Sequence, residues 1–332
     1  MKYNKIEDIP RSNYVKIIEG ITIKIEKPFM NMQTDAANFE SLALICKCIN
    51  PSAHITIQFD IYAEWDGKFN KKSSEVNTYL RFLERVIMFN EAFPEWTSIA
   101  PFNKAEIFRF KELLNEAIKE WRVSNNIPDK DAKFNPSGKE EQIIESILVH
   151  TTKGSAYLKQ LYNKKYSGNE LLYVHNQLPN GLFNIRTSEK PSEHNRIFTT
   201  GAYDIWGIDK NNNFCVFELK KNEENAHLGV LSELFFYSVY AYKFLLNKTI
   251  LHDKKNGKHY RGYEQLYDAV QADQIKGIKA IFLLGKEVYP LIRERQAELK
   301  TLLNTNKFGI SYDFMDYDMA IISNLLTEEL NK

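Results

Sequence analysis

Alternating apolar and polar positions mark short strands near the start of the chain. The runs at residues 14–18, 21–25 and 55–62 are rich in β-branched and aromatic residues, and the last two alternate most clearly. Such alternation is typical of strands with one buried face. We therefore predict half-buried strands between about residues 14 and 65.

The apolar period then lengthens to three and four residues, which is the spacing of an amphipathic helix. One stripe runs through residues 80–87 and a second through residues 107–121, so we predict two helices. A polar stretch at residues 127–138 contains two prolines and a glycine, which interrupt regular structure. We place a boundary there, between an N-terminal α+β domain of residues 1–135 and a second domain of residues 136–332.

The second half alternates between the two periods. The predicted helices cover residues 139–149, 226–246 and 287–303, and the predicted strands cover residues 171–174, 202–209, 214–220 and 279–284. The asparagine-rich run 210–213 suits a hairpin turn, because asparagine tolerates left-handed backbone. This order of elements indicates an α/β (α+β) fold.

Composition and charge limit the partners and the cell compartment that we expect for this chain. The chain has 44 basic and 43 acidic side chains, so any nucleic-acid surface must be a local patch. Cys46 and Cys48, near what reads as a strand, and Cys215 are too few for a structural zinc site or a disulfide framework, which favours a reducing cytoplasm. We find neither a signal peptide nor an apolar run of membrane-spanning length, so we expect a soluble, cytoplasmic protein without a membrane partner.

Charged residues interrupt two otherwise apolar strands. Glu218 and Lys220 belong to the strand at 214–220, whose other residues are typical of a sheet buried on both faces. Because side chains alternate along a strand, Glu218 and Lys220 project from the same face. The preceding strand contributes Asp204 from within another apolar run. Carboxylates placed in this way can hold a metal ion while the lysine polarises water or phosphate.

The register of the hairpin decides whether these side chains meet. A five-residue loop, 209–213, pairs Ile208 with Phe214 and places Asp204 opposite Glu218, about 5 Å apart at Cβ. A four-residue loop instead places Asp204 opposite Leu219, on the wrong face. We therefore predict the odd-length loop or a compensating β-bulge.

An acid on one strand followed by Glu-x-Lys on the next, after a helix that carries glutamates, resembles the PD-(D/E)XK nuclease superfamily. The resemblance covers about residues 137–303 and is carried by Asp204, Glu218 and Lys220. Tyr203 stands where the family pattern has proline, which many members also lack. The resemblance implies a restriction-endonuclease-like mixed central sheet flanked by helices. It also implies that the two acids bind Mg²⁺, with Mn²⁺ as a substitute, and that Lys220 positions or activates the attacking water.

Members of this superfamily often add a glutamate from the first helix. Here Glu140, Glu141 and Glu145 compete for that part. Ser137 followed by Glu140 fits a capping box, which gives Glu140 a structural role. Helical geometry places Glu141 at the edge of the apolar stripe and Glu145 further towards solvent, so we choose Glu141 as a catalytic residue and metal ligand. Glu233, on the helix after the hairpin, is a candidate to support Lys220 or a metal-bound water.

Each of these features also has a structural interpretation. Buried Asp204, Glu218 and Lys220 could form an ion-paired group without catalysis. His175 at a strand end is more typical of a structural histidine, and the aromatic run at 234–242 is explained by packing as readily as by base stacking. A basic tract is a candidate phosphate-binding edge or a solvated loop. It comprises Lys243, Lys248, Lys254, Lys255, Lys258, His259 and Arg261.

These observations together lead us to expect a Mg²⁺-dependent endonuclease, a hydrolase acting on phosphodiester bonds in DNA, with defence or repair in bacteria suggested by analogy. The alternative is a catalytically inactive module of the same fold that binds nucleic acid or a protein. The domain of residues 1–135 has no metal or phosphate spacing. It could recognise a sequence, form a homodimer or sense a ligand.

Overall fold

The structure is a computed structural model, and the residues it describes fall in two groups of segments. Up to the domain boundary these are residues 5–6, 9, 14–19, 21–27, 38–61, 74–100, 105, 107–108, 111–112 and 123–125. Beyond it they are residues 133–180, 182–184, 201–221, 228–248, 260–285 and 290–332. Most of the helix predicted at 107–121 and residues 254–259 of the basic tract lie outside the described residues.

The first part of the chain forms a four-stranded sheet with helices. Its elements are β1 Val15–Ile18, β2 Thr22–Ile25, α1 Phe39–Ile49, β3 Ile55–Phe59, α2 Ser74–Ala92 and β4 Thr97–Ala100. The strands lie in the order β1-β2-β3-β4, with β1 antiparallel to β2 and the other neighbours parallel. The three predicted strands and the first predicted helix are confirmed.

Helix α1 corrects the expectation for Cys46 and Cys48, which lie on a helix rather than near a strand. Nine of the 11 residues of this helix are buried. Phe39, Leu42, Ala43 and Cys46 follow the three- and four-residue spacing of a helix, so the sequence analysis overlooked a helical signal that is present.

The second part of the chain contains the larger sheet. Its helices are α3 Glu140–His150, α4 Thr152–Lys165, α5 Gly229–Tyr240, α6 Tyr263–Gln271, α7 Pro290–Glu294, α8 Gln296–Leu303 and α9 Met319–Leu330. Its strands are β6 Leu171–Pro179, β8 Ala202–Asp209, β9 Asn213–Lys220, β10 Gly277–Gly285 and β11 Ser311–Tyr317. A separate two-stranded pair joins β5 Val123–Asn125 to β7 Leu182–Asn184.

The large sheet is mixed, with strand order β11-β10-β9-β8-β6. β6, β8 and β9 form an antiparallel meander, while β10 is parallel to both β9 and β11. The predicted α/β (α+β) class, with a central mixed sheet flanked by helices, is confirmed. The helix predicted at 287–303 is instead two helices that break at Arg295, and β4, α4, α6, β11 and α9 had no counterpart in the prediction.

Two apolar cores lie on the two faces of this sheet. The α3-side core contains Ile147 of α3 and Leu158 of α4 together with Ile205 and Phe217 of the sheet. The α5-side core contains α5 and α8 and continues without interruption into α1, α2 and the smaller sheet. Helices of the first part therefore pack directly on α5, and the domain boundary at residue 135 stays a prediction.

Candidate active site

The β8–β9 hairpin has the odd register that the sequence analysis required. Ile208 pairs with Phe214 and Ile205 with Phe217, which confirms the five-residue loop 209–213. The fully buried carboxylate of Asp209 holds this turn by accepting the backbone N–H of Asn213 at 2.8 Å. Asn212 adopts a left-handed backbone with φ of 61°. The turn chemistry thus sets the spacing of the functional side chains further along both strands.

β8 and β9 separate at the end that carries the acids. Their pairing extends to Ile205–Phe217, and the next two opposite positions are Asp204 and Glu218. There the Oδ2 atom of Asp204 accepts the backbone N–H of Leu219 at 2.9 Å. β8 continues to pair with β6 on its other side. Asp204 therefore lies at a fork between β8 and β9 and satisfies a backbone group that the opening would otherwise leave without a partner.

Glu218 and Lys220 lie side by side on β9, as strand alternation predicts. The Lys220 Nζ atom is 2.8 Å from Glu218 Oε1 and 3.2 Å from Glu233 Oε2 on α5. The predicted support of Lys220 by Glu233 is therefore present. Glu218 is only 2% exposed, and its second oxygen, Oε2, has no hydrogen-bond partner. A buried carboxylate oxygen without a partner is costly, so it calls for a ligand or a proton.

In the row of the sheet that contains Asp204, β6 and β8 exchange the faces towards which their alternate side chains point. On β8, Ile205 belongs to the α3-side core, whereas Tyr203 belongs to the α5-side core. On β6, Val174 packs against the α3-side core and Leu178, the partner of Tyr203, belongs to the α5-side core. Residues separated by an even number of positions should share a face. The exchange explains how Asp204 interacts with charges on both α3 and α5.

Helix α3 presents a different acid to the site from the one expected. Glu145 was expected to lie towards solvent, but it is 3% exposed and accepts a hydrogen bond from Gln177 Nε2 at 2.5 Å. The helical projection failed because it assumed that a polar side chain away from the apolar stripe must meet water. Here the side chain of Glu145 contacts Gln177, which lies in a polar row of the sheet opposite Asp204.

The other two glutamates of α3 lie at its first turn. Glu140 is exposed and forms an ion pair with Lys221. Glu141 is half-buried, and its Oε1 atom lies 3.4 Å from the Lys221 backbone N–H. The capping box predicted for Ser137 and Glu140 is wrong, because the helix is capped at Lys139 instead. The Lys139 backbone N–H donates to the side chain of Gln142.

Burial and mutual repulsion govern protonation in the site. Burial raises the pKa of Asp204 to about 6, although Lys220 and the Leu219 N–H oppose the rise. Burial and the charge of Asp204 raise the pKa of Glu145 to about 8 and the pKa of Glu218 well above its usual value. Burial alone would lower the pKa of Lys220, but Glu218 and Glu233 outweigh it and raise that pKa. Lys220 is therefore a cation at neutral pH.

The donor set fits a hard divalent cation in its chemistry. Asp204 and Glu218 provide carboxylate oxygens, which Mg²⁺ and Mn²⁺ prefer, and Glu218 Oε2 is buried without a partner. In the side-chain arrangement of the described residues, no three His, Cys, Asp or Glu residues converge closely enough to hold an ion. Lys220, rather than a third acid, stands beside Glu218.

Three other features from the sequence analysis have structural explanations. His175 stacks on Trp206 and contacts Gln265, with its Nε2 atom 2.6 Å from Gln265 Oε1. The aromatic residues of α5 are buried in the core, where Phe235 packs on Phe89. Lys243 of the basic tract lies 3.0 Å from both Glu84 and Glu91 and so is occupied within the protein.

Asp209 is a buried acid that the sequence analysis missed. It accepts hydrogen bonds from Tyr162, Asn169 and Asn213, and Lys279 Nζ lies 3.0 Å from it. Burial alone would raise its pKa, but these hydrogen bonds prevail and lower the pKa to about 2. Every acceptor site of this carboxylate is used, which marks it as structural rather than catalytic.

Among the described residues, no helix combines the length and the apolar character needed to cross a membrane. Comparison of the chain with protein-family models, with curated proteins and with solved structures finds no match.

Proposed function

We propose that this chain is a Mg²⁺-dependent phosphodiesterase that hydrolyses nucleic acid, with DNA as its substrate. The observation that carries the proposal is the arrangement at the fork of β8 and β9. Asp204 and Glu218 occupy opposite positions there, and Lys220 follows two residues later beside Glu218. Two acids and a lysine in this relation match the pattern on which the resemblance to PD-(D/E)XK nucleases rests.

The topology around the fork supports the same proposal. α3 and α4 precede the antiparallel meander of β6, β8 and β9, and α5 and α6 lie between β9 and the parallel strand β10. Three antiparallel strands that follow helices and are joined through helices to a parallel strand agree with the restriction-endonuclease-like fold that the resemblance implies. The acids and the lysine lie on its second and third strands.

The acids and the lysine have different roles because they carry opposite charges. Asp204, Glu218 and a carboxylate of α3 would hold the cation, which when bound would stabilise the charge that develops on the phosphate. Lys220 remains protonated because of Glu218 and Glu233. It therefore acts as a hydrogen-bond donor that orients water or a phosphate oxygen, and not as a general base. Glu233 keeps the ammonium group in position.

The test is cleavage of supercoiled, linear and single-stranded DNA, and of single-stranded RNA, in Mg²⁺ or Mn²⁺. We expect DNA cleavage that EDTA abolishes and that Lys220→Ala lowers about 100-fold or more. Lys221→Ala is the matched control, because its side chain pairs with Glu140 outside the fork. If the wild-type chain leaves every substrate intact, or if Lys220→Ala cleaves as fast as Lys221→Ala, the enzymatic proposal fails.

A catalytically silent binding module is the second candidate. It is favoured by the pairing of Lys220 with both Glu218 and Glu233, since such an ion pair can be purely structural. In that case the wild-type protein would retard DNA in a gel without cleaving it. Lys220→Ala would then lower the unfolding temperature and leave DNA binding unchanged.

A further inference from the structure

Two buried serines connect α1, in the first part of the chain, to the start of α5. The Oγ atom of Ser41 lies 2.6 Å from Ser232 Oγ and donates to the Leu228 carbonyl at 2.6 Å. The Ser41 backbone N–H donates to Ser232 Oγ at 3.2 Å. Both serines are almost completely buried. Hydrogen bonds have a preferred direction, which apolar contacts lack, so these bonds fix the rotation of α5 as well as its distance from α1.

The first turn of α5 has no cap of its own. Leu228 stands at the N-cap position, where its apolar side chain makes no capping hydrogen bond. The first N–H groups of a helix have no partner within the helix, and a helix end without a cap frays more easily. Ser41 binds both the Leu228 carbonyl and Ser232 in this first turn. The position of the turn therefore depends on α1.

The residue after Ser232 belongs to the candidate site. Consecutive residues of a helix point about 100° apart, so a rotation of α5 that displaces Ser232 also displaces Glu233. Glu233 Oε2 lies 3.2 Å from Lys220 Nζ, and the Glu233 side chain is 25% exposed. A partly exposed ion pair is weak unless its geometry is well maintained. The bonds between the two serines thus help to decide how the Glu233 carboxylate meets Lys220.

Helix α1 is itself held in place by a buried ion pair next to Ser41. Arg85 of α2 donates to both carboxylate oxygens of Glu40, at 3.0 and 2.9 Å. Its guanidinium group also lies over the rings of Phe39 and of Phe236 on α5, 5.6 and 5.8 Å from their centroids. An arginine bound to a carboxylate through two hydrogen bonds has a restricted orientation. The first turn of α1 is therefore a fixed support against which α5 is aligned.

We propose that Ser41 and Ser232 are positioning residues that keep Glu233 against Lys220, so that the first part of the chain sets the orientation of the lysine at the fork. This inference rests on the proposed function and gives the N-terminal half a role in it. Both serines lie in the core and act only through Glu233. A displacement of about 1 Å can slow an enzyme about 100-fold, so a partial loosening of α5 should cost about tenfold.

The first experiment compares DNA cleavage by Ser41→Ala, Ser232→Ala and Ser238→Ala in the full chain. Ser238 is the matched control, because it is also a buried serine of α5 but lies 2.7 Å from the Tyr312 hydroxyl of β11, within the second part of the chain. We expect similar losses of unfolding temperature in all three variants. Well below those temperatures, only Ser41→Ala and Ser232→Ala should lower cleavage about tenfold.

A second comparison asks whether the serines act through Glu233. In a Glu233→Gln background nothing remains for Ser41 to position, so adding Ser41→Ala should change cleavage less than about twofold. The same substitution in the wild-type background should lower cleavage about tenfold. A role confined to stability would instead give equal effects in the two backgrounds.

An NMR measurement follows the ion pair without requiring cleavage. In protein made with isotope-labelled lysine, the ammonium signal of Lys220 is identified by its absence from Lys220→Ala. We expect Ser41→Ala and Ser232→Ala to shift this signal in the same direction as Glu233→Gln, because all three weaken the contact with Glu233. Ser238→Ala should leave the signal unchanged.

Four results would overturn the inference. Equal cleavage by Ser41→Ala and Ser238→Ala would assign the serines a purely structural role, and additive effects of Ser41→Ala and Glu233→Gln would show that Ser41 does not act through Glu233. An ammonium signal that is absent from the wild type, or unchanged in both serine variants, would mean that the serines do not hold this ion pair. A wild-type protein that cleaves no DNA overturns the proposed function, and the NMR comparison then decides the role of the serines by itself.

Discussion

Asp204 and Glu218 face each other across β8 and β9 one step beyond the last paired residues, Ile205 and Phe217. Both carboxyl groups have raised pKa values, chiefly because they are buried, and the charge of Asp204 raises the pKa of Glu218 further. The two buried carboxyl groups therefore lower the free energy of unfolding when no cation is bound. Sites that sacrifice stability for function in this way gain stability when the charge is removed.

Asp204→Asn should accordingly stabilise the metal-free protein at pH 8. An asparagine oxygen can still accept the Leu219 N–H, while the cost of burying a charge and the repulsion by Glu233 and Glu141 disappear. The pKa of about 6 implies a gain of about 1 to 3 kcal/mol in the free energy of unfolding. Urea unfolding measures it, and the exposed Asp273→Asn serves as the control. A less stable Asp204→Asn protein would contradict this prediction.

Glu145 should make stability depend on pH. Its pKa of about 8 in the folded protein lies above the ordinary value of 4.5, so the folded state binds the proton more tightly than the unfolded state. Its contribution is present below pH 4.5 and is lost as the pH rises to about 8. We expect Glu145→Gln to reduce the loss of stability between pH 5 and pH 8 by at least about 1 kcal/mol. Urea unfolding at both pH values tests this, with Glu170→Gln, at a half-exposed acid that pairs with Lys210, expected to follow the wild type.

Asp209→Asn should destabilise the hairpin turn. At pH 7 the carboxylate accepts several hydrogen bonds and pairs with Lys279, so its loss should cost about 2 to 4 kcal/mol. Because the folded pKa is lowered to about 2, the stabilisation is complete above the ordinary value of 3.8 and disappears as the pH falls through about 2.

Chemical unfolding at pH 7 and at pH 2.5 measures this difference, which should shrink at the lower pH. Asp316→Asn removes a half-exposed acid that pairs with Arg293, and should cost about 0.5 kcal/mol or less. Equal effects of the two substitutions at pH 7 would mean that Asp209 is not the anchor of the turn.

Phe89→Ala should weaken both halves of the chain together. Phe89 of α2 is fully buried and packs on Phe93 and on Phe235 of α5. Its truncation should cost about 3 to 5 kcal/mol. Because the core is continuous, hydrogen exchange should accelerate in β3 and in β9 alike. Phe108→Ala, at a side chain that is 61% exposed, is the control. Faster exchange in β3 alone would show that the halves unfold independently.

The sequence predicted the parts of the site that depend on strand alternation. A period of two places Glu218 and Lys220 on one face whatever their surroundings. The turn residues allow a four- or a five-residue loop, and the five-residue register was preferred only because it brings Asp204 opposite Glu218. The contact of Lys220 with Glu233 was also foreseen, because Glu233 is the one acid in an otherwise apolar and hydroxyl-bearing stretch of α5.

The remaining features depend on tertiary context. Helix α1 is an exception, because Phe39, Leu42, Ala43 and Cys46 have the spacing of a helix and the sequence analysis overlooked them. Glu145 lies on the side of α3 that meets a polar row of the sheet, which a helical projection treats as solvent. Gln177 differs from an ordinary strand residue in its left-handed backbone. A glutamine in the sequence does not indicate this conformation, so it could not be predicted.

The shared core between α2 and α5 also limits how the chain can be divided. A fragment of residues 136–332 would expose Phe235 and Phe236, which are buried in the full chain. It would also leave Lys243 without Glu84 and Glu91. Such a fragment should aggregate unless its α5 surface is redesigned with polar residues. Replacing the N-terminal half by another domain would therefore require this surface to be rebuilt.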